Sequence, residues 1–367
     1  MKEEISLQQF HRQLQKKAAE QGVPIFGGFE LTPRCNLSCK MCYVKFKGAG
    51  PELMETELTA RQWIELGRKA RDNGTLVVFI TGGEPLIRQD FKEIYEAFCR
   101  LGFRLTLLTN ATLITDELAR WLSAIPPASV DVTLYGASGD TYFNLCGARD
   151  AYDRAINGIE LLLKYGVNTR IKTTIVKTNR EDYNGIKSIA DSYHLELLSS
   201  NLIHGNRANG IDDCAKVRLS PGEMYDFNVD SVEEYDCKPI DLQGIKDRCR
   251  GLPAMACMAA KCSFFINWRG EMTPCALFIT PAVNSLETDF HAAWDLLRQK
   301  VGEIPSPDKC KNCDKRAFCP VCPPRLYLET GSFDVHSEYL CALAEEKEKF
   351  VRKFSPTYQK IHQEGNI

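Results

Sequence analysis

The chain has 367 residues, of which 44% are hydrophobic and 26% charged, a composition typical of a globular protein with one large domain and a smaller one. Lysine plus arginine (46) nearly balance aspartate plus glutamate (48), and no basic run stands out, so we expect no nucleic-acid partner. No apolar run is long enough to cross a bilayer, and the charged N-terminus lacks the apolar core of a signal peptide. We therefore expect a cytoplasmic protein that does not bind membranes.

The predicted elements alternate between strands and helices over most of the chain. Apolar residues at helical spacing predict a short docking helix within residues 1–22. The elements that follow are strand 24–32, helix 60–73, strand 75–80, strand 104–108, helix 116–124, strand 130–134, helix 152–165, strand 168–176, helix 183–193 and strand 195–203. Ser220, Pro221 and Glu223 have the pattern of a capped helix start and open a sixth helix. This alternation predicts an α/β fold on a parallel sheet.

A loop with three cysteines follows the first predicted strand. Cys35, Cys39 and Cys42 are spaced C-x3-C-x2-C, precede Tyr43, and have no fourth thiol nearby in sequence. A structural zinc site uses four ligands, whereas three thiolates on a four-iron cluster leave one iron open. A zinc loop or a buried turn is the alternative interpretation. Sixteen cysteines in a chain expected in a reducing compartment favour metal or redox cofactors over disulfides.

This loop, with its aromatic neighbour, resembles the fingerprint of the radical S-adenosylmethionine (SAM) superfamily. The resemblance implies a partial (β/α)6 barrel, and a catalytic 4Fe-4S cluster on Cys35, Cys39 and Cys42. It also implies that SAM binds the open iron through its amino and carboxylate groups. One electron from the cluster would cleave SAM to a 5'-deoxyadenosyl radical, which abstracts a hydrogen atom from the substrate. The implied partner is an external one-electron reductant of the flavodoxin or ferredoxin type.

A glycine-rich turn, Thr81-Gly82-Gly83-Glu84-Pro85, follows the second predicted strand. In parallel barrels the chemistry lies at the carboxyl ends of the strands, and glycines permit close approach of a ligand. By resemblance this turn is the GGEP motif of the superfamily, whose glycine backbone and glutamate hold the SAM ammonium. Without that resemblance, a Gly-Gly turn would indicate only a tight loop.

Polar residues at later strand ends are further candidates for cofactor or substrate binding. By resemblance, Asn110, Thr133 and Arg149 occupy places where members of the superfamily bind the ribose, the SAM carboxylate or substrate, and Tyr43 is the aromatic residue of the fingerprint. Arg149 ranks highest, because a guanidinium pairs well with a carboxylate. Each could equally be a strand-end cap or a solvated side chain. Four further polar residues at strand ends are candidates on the same grounds, namely Thr109, Tyr135, Lys172 and Thr174.

Cysteines are concentrated again after Asp236, where the alternation of strands and helices stops. Their spacing is C-x4-C-x7-G-x4-C, then a gap, C-x2-C-x5-C-x2-C, and a last cysteine. It resembles the SPASM domain, which carries auxiliary iron–sulfur clusters in radical SAM maturases. The interval between Cys319 and Cys322 is x2 where that domain has x3, so the place of Cys322 is in question.

Eight thiolates are the number needed for two further 4Fe-4S clusters, so three clusters are expected in the chain. By resemblance, the nearer auxiliary cluster takes Cys257, Cys262, Cys275 and Cys322. The farther one takes Cys310, Cys313, Cys319 and Cys341. The rival is a zinc knuckle on Cys310, Cys313, Cys319 and Cys322, since paired C-x2-C is also a zinc signature.

Five cysteines remain outside these sets. Cys99 falls in an apolar helical pattern and is predicted to pack in the core. Cys146 and Cys214 are placed in loops on the catalytic face, as bystanders or, in a minority hypothesis, as hydrogen-atom donors to a substrate radical. Cys237 and Cys249 flank the domain join and could be spare or substitute ligands.

The domain prediction is a docking helix at 1–22, a radical SAM partial barrel at 23–235, a SPASM iron–sulfur domain at 236–345 and a helical tail at 346–367. By resemblance, the preferred function is modification of a ribosomally made peptide by cross-linking, thioether formation or dehydrogenation. The alternatives are a sulfatase-type maturase making formylglycine on a protein, a small-molecule dehydrogenase or epimerase acting for instance on a sugar, and a non-enzymatic iron–sulfur or zinc protein. No motif identifies the substrate pocket.

Overall fold

The computed structural model describes residues 7–44, 51–208, 210, 212–226 and 257–354, and every structural statement refers to these residues. Its centre is a nine-stranded sheet with the order β6-β5-β4-β3-β2-β1-β7-β8-β9. The strands are β1 Phe26–Glu30, β2 Val77–Thr81, β3 Arg104–Thr109, β4 Ser129–Thr133, β5 Thr169–Thr174, β6 Leu197–Ser200, β7 Ser263–Ile266, β8 Glu271–Thr273 and β9 Val283–Asn284.

Strands β1 to β7 run parallel to their neighbours, and β8 and β9 are antiparallel. Helices connect and cover the parallel strands. Their bounds are α1 Leu7–Gln21, α2 Pro51–Met54, α3 Ala60–Asp72, α4 Phe91–Arg100, α5 Asp116–Ala124, α6 Gly139–Cys146, α7 Ala151–Lys164, α8 Tyr183–Ser192, α9 Asp212–Val217, α10 Pro221–Asp226, α11 Phe290–Gly302, α12 Asp308–Lys311, α13 Pro323–Thr330 and α14 Glu338–Phe354. The predicted fold class, a partial barrel followed by a cysteine-rich region, is confirmed.

Strand β1, an interior strand with the sequence Phe-Gly-Gly-Phe-Glu, shows how local residues fit this sheet. Phe29 points to the helices, where its ring meets the edges of Trp63, Phe98 and Phe264. Gly28 points to the other face, where an added Cβ would lie 2.3 Å from the Phe79 ring. A glycine is therefore required there, because the aromatic side chain of β2 occupies the space that any larger residue would need.

Local signals in the sequence identified most element boundaries. Thr59 caps the start of α3 and forms a capping box with Gln62, and Ser220 immediately precedes α10, where its amide donates to the Glu223 carboxylate at 2.7 Å. The observed bounds of α5 are those predicted. Strand β6 is shorter than predicted, with four residues, because its flanks leave the hydrogen-bonded ladder.

Several helices are missing from the predicted elements, namely α2, α6, α9, α11, α12 and α13, and α4 was indicated only by the apolar helical pattern around Cys99. Helix α4 connects β2 to β3 and carries Cys99, which is half-buried against the core, in agreement with the packing prediction. The loop placement of Cys146 and Cys214 was wrong. Cys146 ends α6, Cys214 lies in α9, and both thiols are buried. Short helices of this length carry little periodic pattern, so the sequence signal was weak.

The cysteine-rich region joins the barrel sheet directly, since β7 pairs with β1 over Phe26–Phe29. Helix α14 contains Cys341 and continues to Phe354, across the predicted boundary at 345. The predicted boundary near 236, and Cys237 and Cys249, lie outside the described residues. Within the described ranges, no helix combines the length and apolar character needed to cross a lipid bilayer.

Candidate functional site

The three cysteines of the first motif lie at the carboxyl end of β1 and line one cavity of about 280 Å³. Gly83 from the glycine-rich turn also lines this cavity, as does Cys146 from α6. Cys35 is exposed, whereas Cys39 and Cys42 are half-buried. The cavity therefore combines three thiols with a glycine backbone, the set of groups that the two motifs predicted.

Neighbouring loops hold the cysteine loop in place through its backbone. The amides of Ser38 and Lys40 donate to the carbonyl oxygens of Cys146 and Leu145, both at 2.9 Å. On the other side, the Asn206 side chain donates to the Cys42 carbonyl at 2.9 Å. The loop conformation is thus set by α6 and by the segment after β6.

The glycines of the turn permit a close approach to the cysteine loop itself. An added Cβ on Gly83 would lie 2.3 Å from the Arg34 carbonyl oxygen, and one on Gly82 would lie 2.7 Å from that of Thr32. The Gly83 amide donates to the Thr32 carbonyl at 2.7 Å, and the Glu84 amide to the Arg34 carbonyl at 2.8 Å. The two motifs are therefore in direct backbone contact.

Glu84 connects the turn after β2 to the turn after β3. Its side chain is fully buried, and the carboxylate accepts hydrogen bonds from the Leu86 amide at 3.1 Å, the Asn110 amide at 2.8 Å and the Thr109 hydroxyl at 2.8 Å. Burial raises its pKa to about 7, while these hydrogen bonds oppose the rise. The carboxylate thus has a clear role in joining two strand-end loops.

A second buried carboxylate, which sequence reasoning missed, supports the start of the cysteine loop. Glu57 accepts from Arg34 at 2.7 and 3.0 Å, from Arg88 at 3.2 Å and from the Thr32 hydroxyl at 2.5 Å. Arg88 also donates to the Leu31 carbonyl at 2.9 Å. One carboxylate between two arginines in a buried setting is a strong positioning device. No motif marks these residues, because they are up to 57 positions apart.

The weaker sequence candidates have different positions. Asn110 is close to the cysteine loop, because its side chain donates to Asn36 at 3.0 Å and its Nδ2 lies 3.8 Å from the Cys35 sulfur. Thr133 ends β4 and is half-buried. The Arg149 side chain is 62% exposed, pairs with Asp140 and does not line the cavity of the three cysteines. Lys172 pairs with Asp131 at 2.8 Å.

A buried ion pair, also missed by sequence reasoning, joins the end of β1 to the segment that follows β6. Arg207 donates to Glu30 at 2.5 Å, and its guanidinium lies 5.5 Å from the centre of the Tyr43 ring and 5.7 Å from that of Trp268. Among the described residues, Glu30 Oε2 and Arg207 Nε have no hydrogen-bond partner. By strand alternation Glu30 points to the same face as Gly28, the face opposite the helices that cover Phe29. This pair places two unsatisfied polar atoms beside Tyr43.

A second cysteine cavity lies in the C-terminal region. Cys310, Cys313, Cys319 and Cys341 line a volume of about 290 Å³ between α12 and α14. Among the described His, Cys, Asp and Glu side chains, no three converge tightly enough to hold a single metal ion. Cys322, which the zinc-knuckle alternative requires, is not among the residues that line this cavity.

Cys322 belongs to a different group. Burial raises the pKa of the Cys275 thiol to about 12, and the nearby thiols of Cys322 and Cys257 contribute to that rise. Cys262, the fourth predicted member, has a different environment, because its side chain packs with Ala18 and Ile25 in an apolar cluster. Cys275 packs instead against Ala259, Ala260 and Phe278, so Cys262 and Cys275 lie in different apolar clusters.

Glu84→Gln is expected to weaken SAM binding by about 1.5–3 kcal/mol, because a glutamine amide would place a donor against a backbone N–H. If Glu84 acts by joining the two strand-end loops, the melting temperature of Glu84→Gln should fall together with its SAM affinity. Thr109→Val removes one donor to the same carboxylate and should show a smaller loss of SAM affinity and of melting temperature. Calorimetric titration and thermal melts would measure this. Unchanged melting with weakened binding would instead indicate a direct contact of Glu84 with the SAM ammonium.

The buried side chain of His204, in the segment after β6, is expected to make the free energy of unfolding depend on pH. Burial, and then the charge of Arg325, lower its pKa from 6.5 to about 3. Between pH 6.5 and pH 3, His204 binds a proton in the unfolded state but not in the folded state. Its contribution to the free energy of unfolding is therefore fully present above pH 6.5 and is lost as pH falls towards 3. His204→Gln should retain about 2 kcal/mol more of its stability than the wild type between pH 7 and pH 5, measured by urea unfolding. Parallel losses in the two proteins would contradict this.

The part of the chain that carries both motifs is similar to a known protein family. The model of the radical SAM superfamily matches residues 29–192, from β1 through α8. This segment contains the cysteine loop and the glycine-rich turn. It ends before the C-terminal cysteines.

Relatives extend the similarity to most of the chain. An AdoMet-dependent heme synthase of Methanosarcina barkeri is 26% identical and covers 83% of this chain and 93% of the relative. The antilisterial bacteriocin subtilosin biosynthesis protein AlbA of Bacillus subtilis is 24% identical, with 89% and 72% covered. The crystal structure of Streptococcus suis SuiB bound to precursor peptide SuiA matches with a TM-score of 0.65, 20% identity, and 91% of this chain and 80% of that chain covered. This last similarity concerns the fold.

Proposed function

We propose that the chain is a radical SAM enzyme, as the family match over residues 29–192 supports, and that Cys35, Cys39 and Cys42 hold its 4Fe-4S cluster, with SAM bound beside them. The observation that carries this assignment is the shared cavity of the three thiols and Gly83. When bound, the cluster would supply the electron that cleaves SAM to methionine and a 5'-deoxyadenosyl radical, and this radical would remove a hydrogen atom from the substrate. Exposure of Cys35 supports an external one-electron reductant, such as a flavodoxin or ferredoxin, because a carrier can approach the surface there.

The residues of the chain contribute positioning. Glu57 and Glu84 fix the two loops that carry Cys35 and Gly83, and Asn110 connects Glu84 to the cysteine loop. A radical intermediate needs a site that excludes water, and the buried side chains around Tyr43 meet that need. The unsatisfied atoms of Glu30 and Arg207 are the groups that we assign to polar contacts with substrate.

Two auxiliary 4Fe-4S clusters in the C-terminal region complete the proposal. The cavity lined by Cys310, Cys313, Cys319 and Cys341 has the four thiols that a closed cluster needs. The group of Cys257, Cys275 and Cys322 would hold the other. Direct pairing of β7 with β1 places this region beside the barrel, where an auxiliary cluster can take an electron from a substrate radical.

A ribosomally made peptide is the proposed substrate, modified by cross-linking, thioether formation or dehydrogenation. Similarity to a bacteriocin biosynthesis protein over 89% of the chain supports this choice, and that similarity includes the C-terminal region. The fold match to an enzyme crystallised with its precursor peptide agrees with it. A second candidate is an iron porphyrin, because a heme synthase is 26% identical and aligns over 93% of its own length.

One experiment separates the candidates. The anaerobically reconstituted enzyme, with dithionite and SAM, is incubated with a peptide encoded beside its gene and, in parallel, with an iron porphyrin that carries carboxylate side chains. We expect 5'-deoxyadenosine and a mass change of the peptide, both measured by mass spectrometry. A change confined to the porphyrin would overturn the peptide assignment, and absence of 5'-deoxyadenosine in both incubations would overturn SAM cleavage.

A further inference from the structure

We infer that Arg207 is a positioning residue for SAM cleavage, through which β1 and the C-terminal region fix the loop that carries Cys42 and Tyr43. This inference rests on the proposed function, because it takes Cys42 as a ligand of the cluster that cleaves SAM. Arg207 should therefore affect SAM cleavage before any substrate binds, an effect that the substrate contacts assigned above do not require.

The segment after β6 forms a closed turn against the cysteine loop. The amides of Asn206 and Gly210 donate to each other's carbonyl oxygens at 2.6 and 2.7 Å, which closes the turn. The Asn206 side chain donates to the Cys42 carbonyl at 2.9 Å, and the Arg207 amide donates to the Tyr43 carbonyl at 3.0 Å. Two successive residues of the turn thus hold two successive residues of the loop through its backbone.

The Arg207 side chain connects the same loop to two other parts of the fold. Its guanidinium donates to Glu30 at the end of β1 at 2.5 Å, and lies 5.5 Å from the centre of the Tyr43 ring and 5.7 Å from that of Trp268. Trp268 belongs to the turn between β7 and β8, in the C-terminal region. A planar guanidinium can pair with a carboxylate and stack on aromatic rings at the same time.

A second contact joins the turn to the C-terminal region. An added Cβ on Gly205 would lie 2.8 Å from the Leu328 carbonyl oxygen of α13, and α13 begins directly after Cys322. The turn therefore packs between the cysteine loop and the helix that follows a proposed ligand of an auxiliary cluster. A displacement of α13 would be transmitted through this turn to Cys42 and Tyr43.

The burial of the ion pair makes it possible to separate positioning from stability. The Glu30 side chain is 0% exposed and that of Arg207 is 6% exposed. Removing one partner leaves the other charge buried and unpaired, which is strongly destabilising, whereas replacing both with apolar residues of similar volume is often neutral. A double substitution should therefore restore stability, while the ordering of the loop by the guanidinium stays lost.

The test compares full-chain variants purified anaerobically. They are Arg207→Met, the double variant of Glu30→Met and Arg207→Met, and Arg218→Met as the matched control. Arg218 also pairs with a buried glutamate, Glu329 of α13, at 2.7 Å, and lies 3.4 Å from the centre of the Tyr339 ring of α14. The control thus breaks the same kind of ion pair and ring contact in another part of the fold.

Three properties are measured without substrate: the change that SAM causes in the electron paramagnetic resonance spectrum of the dithionite-reduced protein, the rate of 5'-deoxyadenosine formation, and the melting temperature. Both variants with Arg207→Met should show an altered spectrum and a rate lower by about tenfold to a hundredfold, because small misplacements of reacting groups have effects of this size. The melting temperature should fall in Arg207→Met and in Arg218→Met, and recover in the double variant.

The spectrum and rate of Arg218→Met should remain those of the wild type. A wild-type spectrum and rate in Arg207→Met, or their recovery in the double variant, overturns the inference. An equal loss of rate in Arg218→Met also overturns it, because general destabilisation would then explain the effect. If SAM leaves the wild-type spectrum unchanged and no 5'-deoxyadenosine forms, the proposed function itself is overturned.

Amide hydrogen exchange tests the loop directly and does not depend on activity. In the same purified proteins, residues 35–44 should exchange faster in Arg207→Met and in the double variant than in the wild type, since a loop that loses a tertiary contact opens more often. Exchange of this segment in Arg218→Met should match the wild type. Equal exchange in all four proteins, measured by mass spectrometry, overturns the inference.

Discussion

Replacing Cys35, Cys39 and Cys42 together with alanine is expected to abolish formation of 5'-deoxyadenosine. The reason is that these three thiols line the cavity next to Gly83, and without them no cluster can bind SAM or pass it an electron. The variant should keep about two thirds of the wild-type iron, because none of the C-terminal cysteines lines that cavity. Chromatography of the nucleoside product and anaerobic iron analysis measure the two effects.

Cys99→Ala is the matched control for this variant. Cys99 is half-buried in α4 and does not line the cavity of the three cysteines, so the control should retain both iron and activity. Persistent 5'-deoxyadenosine in the triple variant would show that the cluster assignment is wrong.

The second large effect is expected at the cavity between α12 and α14. Replacing Cys313 and Cys341 with alanine removes two of its four thiols, so the farther cluster should be lost and the iron content should fall by roughly a third. Metal binding is also folding energy, and the start of α14 should therefore become sensitive to protease. SAM cleavage should persist, because the cysteine loop is held by α6 and by the segment after β6.

Iron and zinc analysis with limited proteolysis would measure this result. The zinc-knuckle alternative makes a different prediction for the same protein. It expects stoichiometric zinc in the wild type, with Cys322 essential for it and Cys341 dispensable. That pattern would replace the iron assignment of the C-terminal region.

Much of the fold could be predicted because its signals are local. The hydroxyls of capping residues such as Thr59 and Ser220 accept hydrogen bonds from amides three residues away, so the pattern can be recognised in the sequence. The motif around Cys35 and the turn around Gly83 are similarly short. The proximity of these two motifs could be predicted because the carboxyl ends of parallel strands lie at one edge of the sheet.

The supporting residues could not be predicted, because their partners are distant in sequence. Glu30 and Arg207 are 177 positions apart, and neither belongs to a motif. Glu57 contacts Arg34 and Arg88 only because three loops converge behind the cysteine loop. Pairing of buried charges depends on which loops become neighbours, and that is a property of the folded chain.

The sequence by itself determined the cysteine spacing, the glycine-rich turn and the alternation of strands and helices, since each depends on residues within a few positions of one another. The tertiary structure decided that β7 lies beside β1, that Cys322 does not line the cavity of Cys319, and that Cys262 packs against α1. The physical reason is that side-chain direction in a strand alternates with every residue, so the face on which a cysteine lies depends on register and long-range pairing.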